Sequence, residues 1–406
     1  MKFAHLADIH IGGWREEKLN QLTIESFEKA ITTSIEENVA FVIISGDLFN
    51  TALPNIDLIK KTSLILRKLK ENNIECYVIP GSHDFSPSGK TMIDVFENAG
   101  LVKNVMKIEK DENLNLYFTT DKTGANLTGL YGKTGGLERL DYEILNKEPL
   151  EEKQGFKIFL FHHIIEEFKE KGLEMIQGIP LNKLPKNFNY YAGGHPHLIF
   201  DVEVEKYGRI TYPGPTFPNN FVEIEKLKQG GFYLVNVQNN EIKEVKHIPI
   251  KIKEVESINI KIDNLNSFKA HDYILEKIEN LDIKDKIVTL RIKGTLSQGK
   301  VSDINFNEII KKLEGAYVVL KNINKLQTKE LEEINIDFEN TKEIEEKVVK
   351  EFLVQNKTDL KEESFHNLIQ ILEEEKVEGE KNLDFEKRLE KNLIKTLDLE
   401  DIWNVN

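Results

Sequence analysis

Histidine and aspartate residues in a few short turns are the part of this sequence with the clearest chemical potential. Ten histidines occur in the chain, and six fall in these turns: His10, His83, His162, His163, His195 and His197. Asp8 and Asp47 lie in turns of the same kind. Imidazole and carboxylate groups without thiolates suit Mn²⁺, Zn²⁺ or Fe²⁺ better than an all-oxygen Mg²⁺ or Ca²⁺ site. Because one ion cannot use this many ligands, the set favours two ions, an arrangement that hydrolyses phosphoesters.

Each of these turns follows a short apolar segment that is typical of a buried β-strand. Strands are predicted at 2–7, 41–44, 76–79 and 156–161, and a further strand ends in the segment 190–197. Amphipathic helices predicted at 19–37 and 57–71 alternate with the first three strands. This order favours parallel pairing in an α/β domain. The polar turns would then collect at the carboxyl ends of the strands, where such sheets bind ligands.

The remainder of the chain is predicted to contain further strands and helices. A short helix at 91–98 and a pair of antiparallel strands within 114–131 precede a β-rich segment at 199–247. Residues 250–324 alternate strand and helix patterns, which is typical of a small α+β module. The tail is predicted to be helical in three segments: 341–354, 363–375 and 385–397.

Composition limits the classes of protein to which the chain can belong. With 406 residues, 40% of them hydrophobic, it can form two or three domains with substantial cores. The net charge of −14 does not exclude a nucleic-acid partner, because residues 329–406 hold 23 acidic and 12 basic residues and carry most of it. Cys76 is the only cysteine, which fits a reducing cytoplasm. Without a signal peptide or an apolar run of about 18 residues, we expect a soluble protein with no membrane partner.

Five short motifs, taken together, resemble those of calcineurin-like metallophosphoesterases. They are Asp8-x-His10, Gly46-Asp47, Gly81-x-His83-Asp84, His162 after an apolar strand, and Gly194-His195-x-His197. Phe49 after Gly-Asp-Leu, the chain length, the α+β module and the helical tail resemble more narrowly the Mre11/SbcD family of DNA double-strand-break repair nucleases.

This resemblance implies both a fold and a domain division. The fold is α/β: a four-layer metallophosphoesterase β-sandwich flanked by helices, plus a small α+β capping domain and a C-terminal helical tail. The implied domains are a nuclease domain at 1–248, a capping and DNA-binding domain at 249–327, and an ATPase-binding tail at 328–406.

The resemblance also implies a set of metal ligands, carried over position by position. Asp8, His10 and His197 would hold one metal ion, His162 and His195 the other, and Asp47 would bridge them. The ions would be two Mn²⁺, with Mg²⁺ or other divalent ions as alternatives. His162 is preferred to His163 because the motif histidine comes first after the strand.

Ser82 is the one departure from the motif pattern, since the family has an Asn ligand to the second metal ion there. A hydroxyl is a shorter and poorer ligand than an amide oxygen. We therefore expect the second ion to be held more weakly or through a water molecule, with a stricter need for Mn²⁺.

His83 and Asp84 are the residues to which the resemblance gives a catalytic role. His83 would lie near the scissile phosphate, as general acid or transition-state stabiliser. Asp84 would orient the His83 ring, or alternatively cap the turn that follows.

The function implied is that of a Mn²⁺-dependent DNA exo/endonuclease subunit in an Mre11–Rad50/SbcCD-like complex, cytoplasmic and associated with the nucleoid of a prokaryote. The partners would be DNA, a second copy of the chain, and a Rad50/SbcC-like coiled-coil ATPase bound by the C-terminal helices. Two other functions stay open: a small-substrate phosphodiesterase or phosphatase on the same fold, and a catalytically weakened scaffold that binds DNA and the ATPase. Two interpretations, contact with DNA and exposure to solvent, stay open for the basic residues of the module: Lys251, Lys253, Lys261, Lys284, Lys286, Arg291 and Lys293.

Overall fold

The computed structural model describes residues 1–86, 91–169, 177–329, 349, 353, 362–372 and 382–397. The chain divides into two units, Met1–Val255 with Asp285–Ile287, and Glu256–Lys284 with Val288–Asn406. Among the described residues, no helix has both the length and the apolar character needed to cross a membrane. The division at 248 and 327 stays a prediction, because most of the residues after 328 are not among those described.

The bounds of the elements are as follows, in chain order. The strands are β1 (Lys2–Leu6), β2 (Phe41–Ser45), β3 (Glu75–Ile79), β4 (Lys103–Asn104), β5 (Lys107–Lys110), β6 (Leu114–Tyr117), β7 (Thr119–Thr120), β8 (Asn126–Leu130), β9 (Lys157–His162), β10 (Tyr190–Gly194), β11 (Ile199–Val204), β12 (Gly208–Pro213), β13 (Gly230–Gln238), β14 (Glu241–Ile250), β15 (Val255–Asp263), β16 (Ile287–Leu296) and β17 (Val318–Thr328). The described helices are α1 (Glu17–Glu36), α2 (Ile56–Glu71), α3 (Met92–Asn98), α4 (Arg139–Glu143), α5 (Glu148–Glu152), α6 (Phe221–Leu227), α7 (Ser267–Ile278), α8 (Phe306–Lys312), α9 (Glu362–Leu372) and α10 (Asn382–Thr396).

The first unit contains two six-stranded sheets and a hairpin of β5 and β6. Sheet 1 has the order β14-β13-β1-β2-β3-β4, and sheet 2 has the order β11-β12-β10-β9-β8-β7. Strands β1 to β4 run parallel to one another, as do β8, β9, β10 and β12. Their carboxyl ends therefore lie along one edge of each sheet, and the polar turns begin there.

Side-chain alternation along the strands builds three apolar cores in the first unit. In β9, Ile158 and Leu160 face a core shared by the two sheets, whereas Phe159 and Phe161 face the opposite core. Helices α1, α2 and α3 cover the outer face of sheet 1, and α4, α5 and the hairpin cover the outer face of sheet 2. The predicted α/β fold of layered sheets flanked by helices is confirmed.

The second unit has its own core and its own sheet, β15-β16-β17. Apolar residues of α7 and α8 pack with those of the sheet, as expected for the α+β pattern of 250–324. Helices α9 and α10 contact each other and match two of the predicted tail helices. The third, at 341–354, falls outside the described residues except for Val349 and Leu353.

Two sequence predictions in the first unit are wrong in part. Only β7 and β8 form the antiparallel pair expected within 114–131, because β6 pairs instead with β5. Strand β5 escapes prediction because it is mostly charged and exposed. The segment 199–247 is rich in strands as expected, but it also contains α6, whose seven residues are too few to show a helical period.

Candidate metal centre

Unusual backbone angles mark the turns at the carboxyl ends of the strands. Five residues that are not glycine have positive φ there: Asp8 at 52°, His10 at 48°, Asp47 at 53°, His195 at 98° and His197 at 54°. Such angles are uncommon for residues with a side chain, cost about 1–3 kcal/mol each, and cluster at functional sites. The structure therefore holds these five side chains at an energetic cost.

Two motif glycines let the edges of the two sheets approach each other closely. A Cβ atom on Gly46, whose φ is 87°, would lie 2.3 Å from Nδ1 of His162. A Cβ atom on Gly194 would lie 2.2 Å from the carbonyl oxygen of Ser45. Neither site has room for a larger residue, so these glycines bring the ligating side chains of sheet 1 and sheet 2 into contact.

The Asp47 carboxylate lies at the middle of the cluster. Its Oδ1 accepts a hydrogen bond of 2.8 Å from the backbone N–H of His83. Its Oδ2 lies 3.0 Å from Nε2 of His162 and 3.5 Å from Nε2 of His10. One carboxylate oxygen thus faces imidazoles from both sheets.

The side chains form two groups around this carboxylate. Asp8, His10 and His197 each offer a ligand atom within 4.8 Å of the others, and so do Asp47, His162 and His195. A third combination, His10, Asp47 and His83, links Asp47 to the first group. The resemblance implied the same division, and the binding of ions by these residues stays a prediction.

The contacts within the centre fit a pair of divalent cations. Nε2 of His10 and Nε2 of His197 face each other at 2.9 Å, so both ring nitrogens are directed at the same point. Nδ1 of His162 donates to the Ser45 carbonyl at 2.7 Å, so the ring directs Nε2 into the centre, 3.0 Å from Oδ2 of Asp47. Asp8 and Asp47 are each 1% exposed, and buried carboxylates need cationic partners.

The electrostatics of the centre keep two of its histidines neutral and favour a proton on two others, His162 and His197. Burial lowers the pKa of His10 and of His195 to about 3, so both are neutral at pH 7. Burial also opposes a charge on His162, but the Asp47 carboxylate outweighs it and raises the pKa of His162 to about 10. The same interaction holds the pKa of Asp47 below its usual value, although burial alone would raise it. A proton on His162 balances the Asp47 charge, and metal binding would release it.

His162 rather than His163 faces the cluster. The His163 ring packs against Tyr142 with centroids 4.9 Å apart, and its Nδ1 faces the Ile164 carbonyl at 3.2 Å. It is in none of the three ligand groups found among the described residues. Ser82 is half-buried and lines the same cleft as His83 and His195, and its role as a ligand stays a prediction.

The prediction that Asp84 orients the His83 ring is wrong. The Asp84 carboxylate is buried and accepts hydrogen bonds from three backbone N–H groups, those of Leu48, Phe49 and Gly81, at 3.1, 3.0 and 3.1 Å. Nδ1 of His83 instead donates to the Asn50 carbonyl at 2.9 Å. Asp84 therefore anchors the turn after β3 to the turn after β2, since both of its oxygens are used by the backbone.

Glu223 is a functional candidate that the sequence analysis missed. Its Oε1 accepts a 2.9 Å hydrogen bond from Nδ1 of His197, and its Oε2 accepts one of 2.7 Å from the backbone N–H of Asn219. The carboxylate thereby holds the His197 ring in the orientation in which its Nε2 faces His10. A carboxylate behind a metal-binding histidine sets its tautomer and orientation. Asn220 followed by Glu223 is a helix-start signal that could have revealed α6.

We expect Glu223→Gln to weaken Mn²⁺ binding by roughly 10–100-fold, because the His197 ring loses its anionic support. Isothermal titration of the metal-free protein with Mn²⁺ measures this directly. Glu225→Gln, on the same helix, is the matched control and should bind Mn²⁺ like the parent. Equal affinities for all three proteins would contradict a positioning role for Glu223.

Comparisons with known proteins agree with this geometry. Residues 1–198 match the family model of the calcineurin-like phosphoesterases. The chain is 29% identical over 306 residues to the DNA double-strand break repair protein Mre11 of Methanococcus maripaludis, covering 70% of this chain and 76% of that protein. It is 29% identical over 309 residues to the Mre11 protein of Thermoplasma acidophilum, covering 73% and 78%. It is 29% identical over 275 residues to that of Archaeoglobus fulgidus, where it spans 61% of this chain and only 59% of the relative.

Proposed function

Because residues 1–198 match the family model of the calcineurin-like phosphoesterases, we propose that the protein is a Mn²⁺-dependent DNA nuclease of the Mre11/SbcD type. The predicted resemblance of this segment to metallophosphoesterases is confirmed. The predicted resemblance to Mre11 proteins is also confirmed, by relatives that align with 61–73% of the chain. The choice of Mn²⁺ and the action on DNA in a repair complex are the proposal.

The observation that carries the proposal is the position of Asp47 between the two ligand groups. Two divalent ions held by these groups would polarise a phosphodiester and activate water for in-line attack. Asp8, His10 and His197 would hold one, His162, His195 and Ser82 the other, and the Asp47 carboxylate would bind both. Asp84 holds the backbone of this centre in register through its three N–H contacts.

His83 is the residue best suited to act on the substrate itself. Its Nδ1 carries a proton, because it faces the Asn50 carbonyl, which can only accept. Nε2 is then the nitrogen that can protonate the leaving oxygen or hydrogen-bond to the phosphate. The side chain is exposed, and its ring lies 4.8 Å from that of His10. A substrate phosphate at the centre could therefore reach it.

Substrate comparison tests the proposal against its rivals on the same fold. Purified protein with Mn²⁺ is expected to cleave DNA in preference to bis-p-nitrophenyl phosphate and to a phosphopeptide. Turnover of the small diester alone would favour a small-substrate phosphodiesterase. Turnover of the phosphopeptide alone would favour a protein phosphatase, and either result would contradict the proposal.

We expect Ser82→Asn to strengthen binding of the second Mn²⁺ ion by about tenfold. This is the lower end of the change in metal affinity that follows the loss of a group supporting a ligand. The amide oxygen reaches further than the hydroxyl and is the better ligand. Mn²⁺ titration of the parent, Ser82→Asn and the nearby control Ser86→Asn measures the effect, together with DNA cleavage rates. If Ser82→Asn leaves both the affinity and the rate unchanged, Ser82 does not explain any weakness of the second site.

A homodimer through α2 and α3 is also proposed. Large apolar side chains are exposed on and before these helices: Leu53 at 83%, Ile56 at 81%, Leu64 at 43% and Val95 at 52%. Exposed apolar side chains grouped in this way favour an interface. The sedimentation coefficient of the full chain tests this, and a monomer at high concentration would contradict it.

A coiled-coil ATPase of the Rad50/SbcC type is the proposed partner of the C-terminal helices. Support comes from the apolar spacing of the tail and from Leu372 of α9, which is 65% exposed. Because α9 and α10 contact each other, a folded pair is available for docking. We place the protein in the cytoplasm with the nucleoid as part of this proposal.

Contact of the basic module residues with DNA has mixed support. Four of the seven form ion pairs: Lys251 and Lys286 with Glu254, Lys253 with Asp285, and Lys261 with Asp263. These pairs are mostly at the surface and are worth little, so a phosphate can replace the carboxylate at small cost. The proposal of a DNA partner therefore rests mainly on the metal centre.

A further inference from the structure

A cleft of about 580 Å³ extends from the candidate metal centre along the first unit. Its lining includes residues of the centre, among them His83, His162 and His195. It also includes residues with no role so far, chiefly Phe85, Lys133, Glu138, Arg139 and Gln177. This volume lies within the usual range for small-molecule sites, about 300–1,000 Å³. The cleft is therefore large enough to hold more of a substrate than the phosphate alone.

Phe85 is the aromatic side chain among these further lining residues. Phe85 lies two residues after His83, and its ring is stacked on that of Tyr131, with centroids 5.9 Å apart and planes 6° apart. Nζ of Lys133 lies 4.9 Å from the centroid of the Tyr131 ring. Phe85 is thus a supported flat surface close to the proposed catalytic histidine.

Cationic side chains accompany this ring. Nζ of Lys133 lies 2.6 Å from Oδ2 of Asp141, and Nζ of Lys110 lies 3.1 Å from Oδ1. Two cations share this one buried carboxylate, so the group keeps a net positive charge. Burial opposes the charge on Lys133, yet the hydrogen bond to Asp141 outweighs burial and raises its pKa.

Arg139 adds a further cation to the cleft lining. Glu138 is the one carboxylate among the described lining residues. Nε of Arg139 donates to the Gly136 carbonyl at 3.0 Å, and its Nη1 donates to Gln177. Glu138 is 5% exposed, and its Oε2 accepts from the backbone N–H of Lys133 at 2.9 Å. Its charge is directed at the loop backbone, which leaves Lys133 and Arg139 as the charges available to an anionic ligand.

We propose that this part of the cleft lining is a nucleotide subsite, in which a base stacks on Phe85 while Lys133 and Arg139 face the nucleic-acid backbone. This inference rests on the proposed phosphodiester hydrolysis at the metal centre. A flat ring beside cations recognises nucleic acid without regard to sequence, because every base has a stacking face and every nucleotide carries a phosphate. A phosphoserine or phosphothreonine peptide offers no flat group at a fixed distance from its phosphate.

Ligand binding, rather than cleavage, tests the subsite. The full-length protein with Mn²⁺ is titrated with deoxyadenosine 5′-monophosphate and with methyl phosphate, which shares only the phosphate. We expect the nucleotide to bind more tightly, and Phe85→Leu to lower its affinity by about fivefold to 150-fold. Methyl phosphate should bind the parent and Phe85→Leu alike, which also shows that the variant is folded. Phe268→Leu, an exposed phenylalanine of the second unit, is the matched control.

Three outcomes would overturn the subsite: equal affinity of the parent for the two ligands, retention of the nucleotide preference by Phe85→Leu, or no binding of either ligand. A failure of the proposed nuclease function alone gives a different result. In that case the parent still binds the nucleotide more tightly than methyl phosphate, and Phe85→Leu still loses this preference, but DNA is not cleaved.

Discussion

Asp47→Asn is expected to abolish Mn²⁺-dependent hydrolysis, with a loss of at least about a thousandfold in rate. The reason is the position of the carboxylate, whose Oδ2 faces the imidazoles of both His10 and His162. An amide oxygen carries no charge and cannot bridge two cations as strongly. Mn²⁺ content and DNA cleavage rate, measured on the same preparation, should both fall.

The same substitution should also change the pH dependence of stability of the metal-free protein. The folded pKa of Asp47 lies below its usual value of 3.8, so its contribution to stability is present above that pH. The folded pKa of His162 is raised from 6.5 to about 10, so its contribution is full below pH 6.5 and is lost as the pH rises through 10. The difference in Tm between the parent and Asp47→Asn should therefore be largest between pH 3.8 and 6.5 and shrink towards pH 10.

A matched control separates this effect from the general cost of replacing a buried carboxylate. Asp121 is also buried, and its Oδ2 accepts a 2.8 Å hydrogen bond from the Tyr77 hydroxyl, outside the metal centre. Asp121→Asn should keep the Mn²⁺ content and cleavage of the parent. If Asp47→Asn also kept the Mn²⁺ content and the cleavage rate of the parent, the position of Asp47 between the two ligand groups would not contribute to catalysis.

His83→Gln is expected to lower kcat by roughly 10²–10⁴-fold while leaving Mn²⁺ binding intact. His83 is exposed, and its Nε2 is the nitrogen available to hold or release a proton at the substrate. Glutamine can hydrogen-bond but cannot transfer a proton at this position. The measurements are kcat on DNA and Mn²⁺ affinity, and both must be taken on the same variant.

The comparison of His83→Gln with Asp47→Asn distinguishes a catalytic group from a metal ligand. A parallel loss of metal and activity in His83→Gln would make His83 a ligand, in line with its place beside His10 and Asp47. Full activity in His83→Gln would mean that another group or water protonates the leaving oxygen.

Much of the centre is predictable from the sequence, because its residues follow buried strands. Asp8, Asp47 and His162 come at or just after the ends of β1, β2 and β9, all of which pair in parallel. Apolar segments reveal such strands, and parallel strands bring their carboxyl ends to one edge. The type and order of the residues therefore predict the cluster without knowledge of the coordinates.

The rest depends on tertiary contacts that no local pattern reveals. Two of the three partners of Asp84 are backbone N–H groups of a different turn, so its position beside His83 in the sequence is misleading. Glu223 lies 26 residues after His197 on a short helix, and only folding brings the two together. The stacking of Phe85 on Tyr131 likewise joins segments distant in the chain.

Mn²⁺-dependent cleavage of DNA by the purified chain is the most direct test of the central claim. A labelled duplex is incubated with the parent and with His83→Gln, in Mn²⁺ and in excess chelator. The account predicts cleavage by the parent in Mn²⁺, none in chelator, and a loss of at least about a hundredfold in His83→Gln. If the parent shows no Mn²⁺-stimulated cleavage and behaves like His83→Gln, the protein is a DNA- and ATPase-binding scaffold instead of a nuclease.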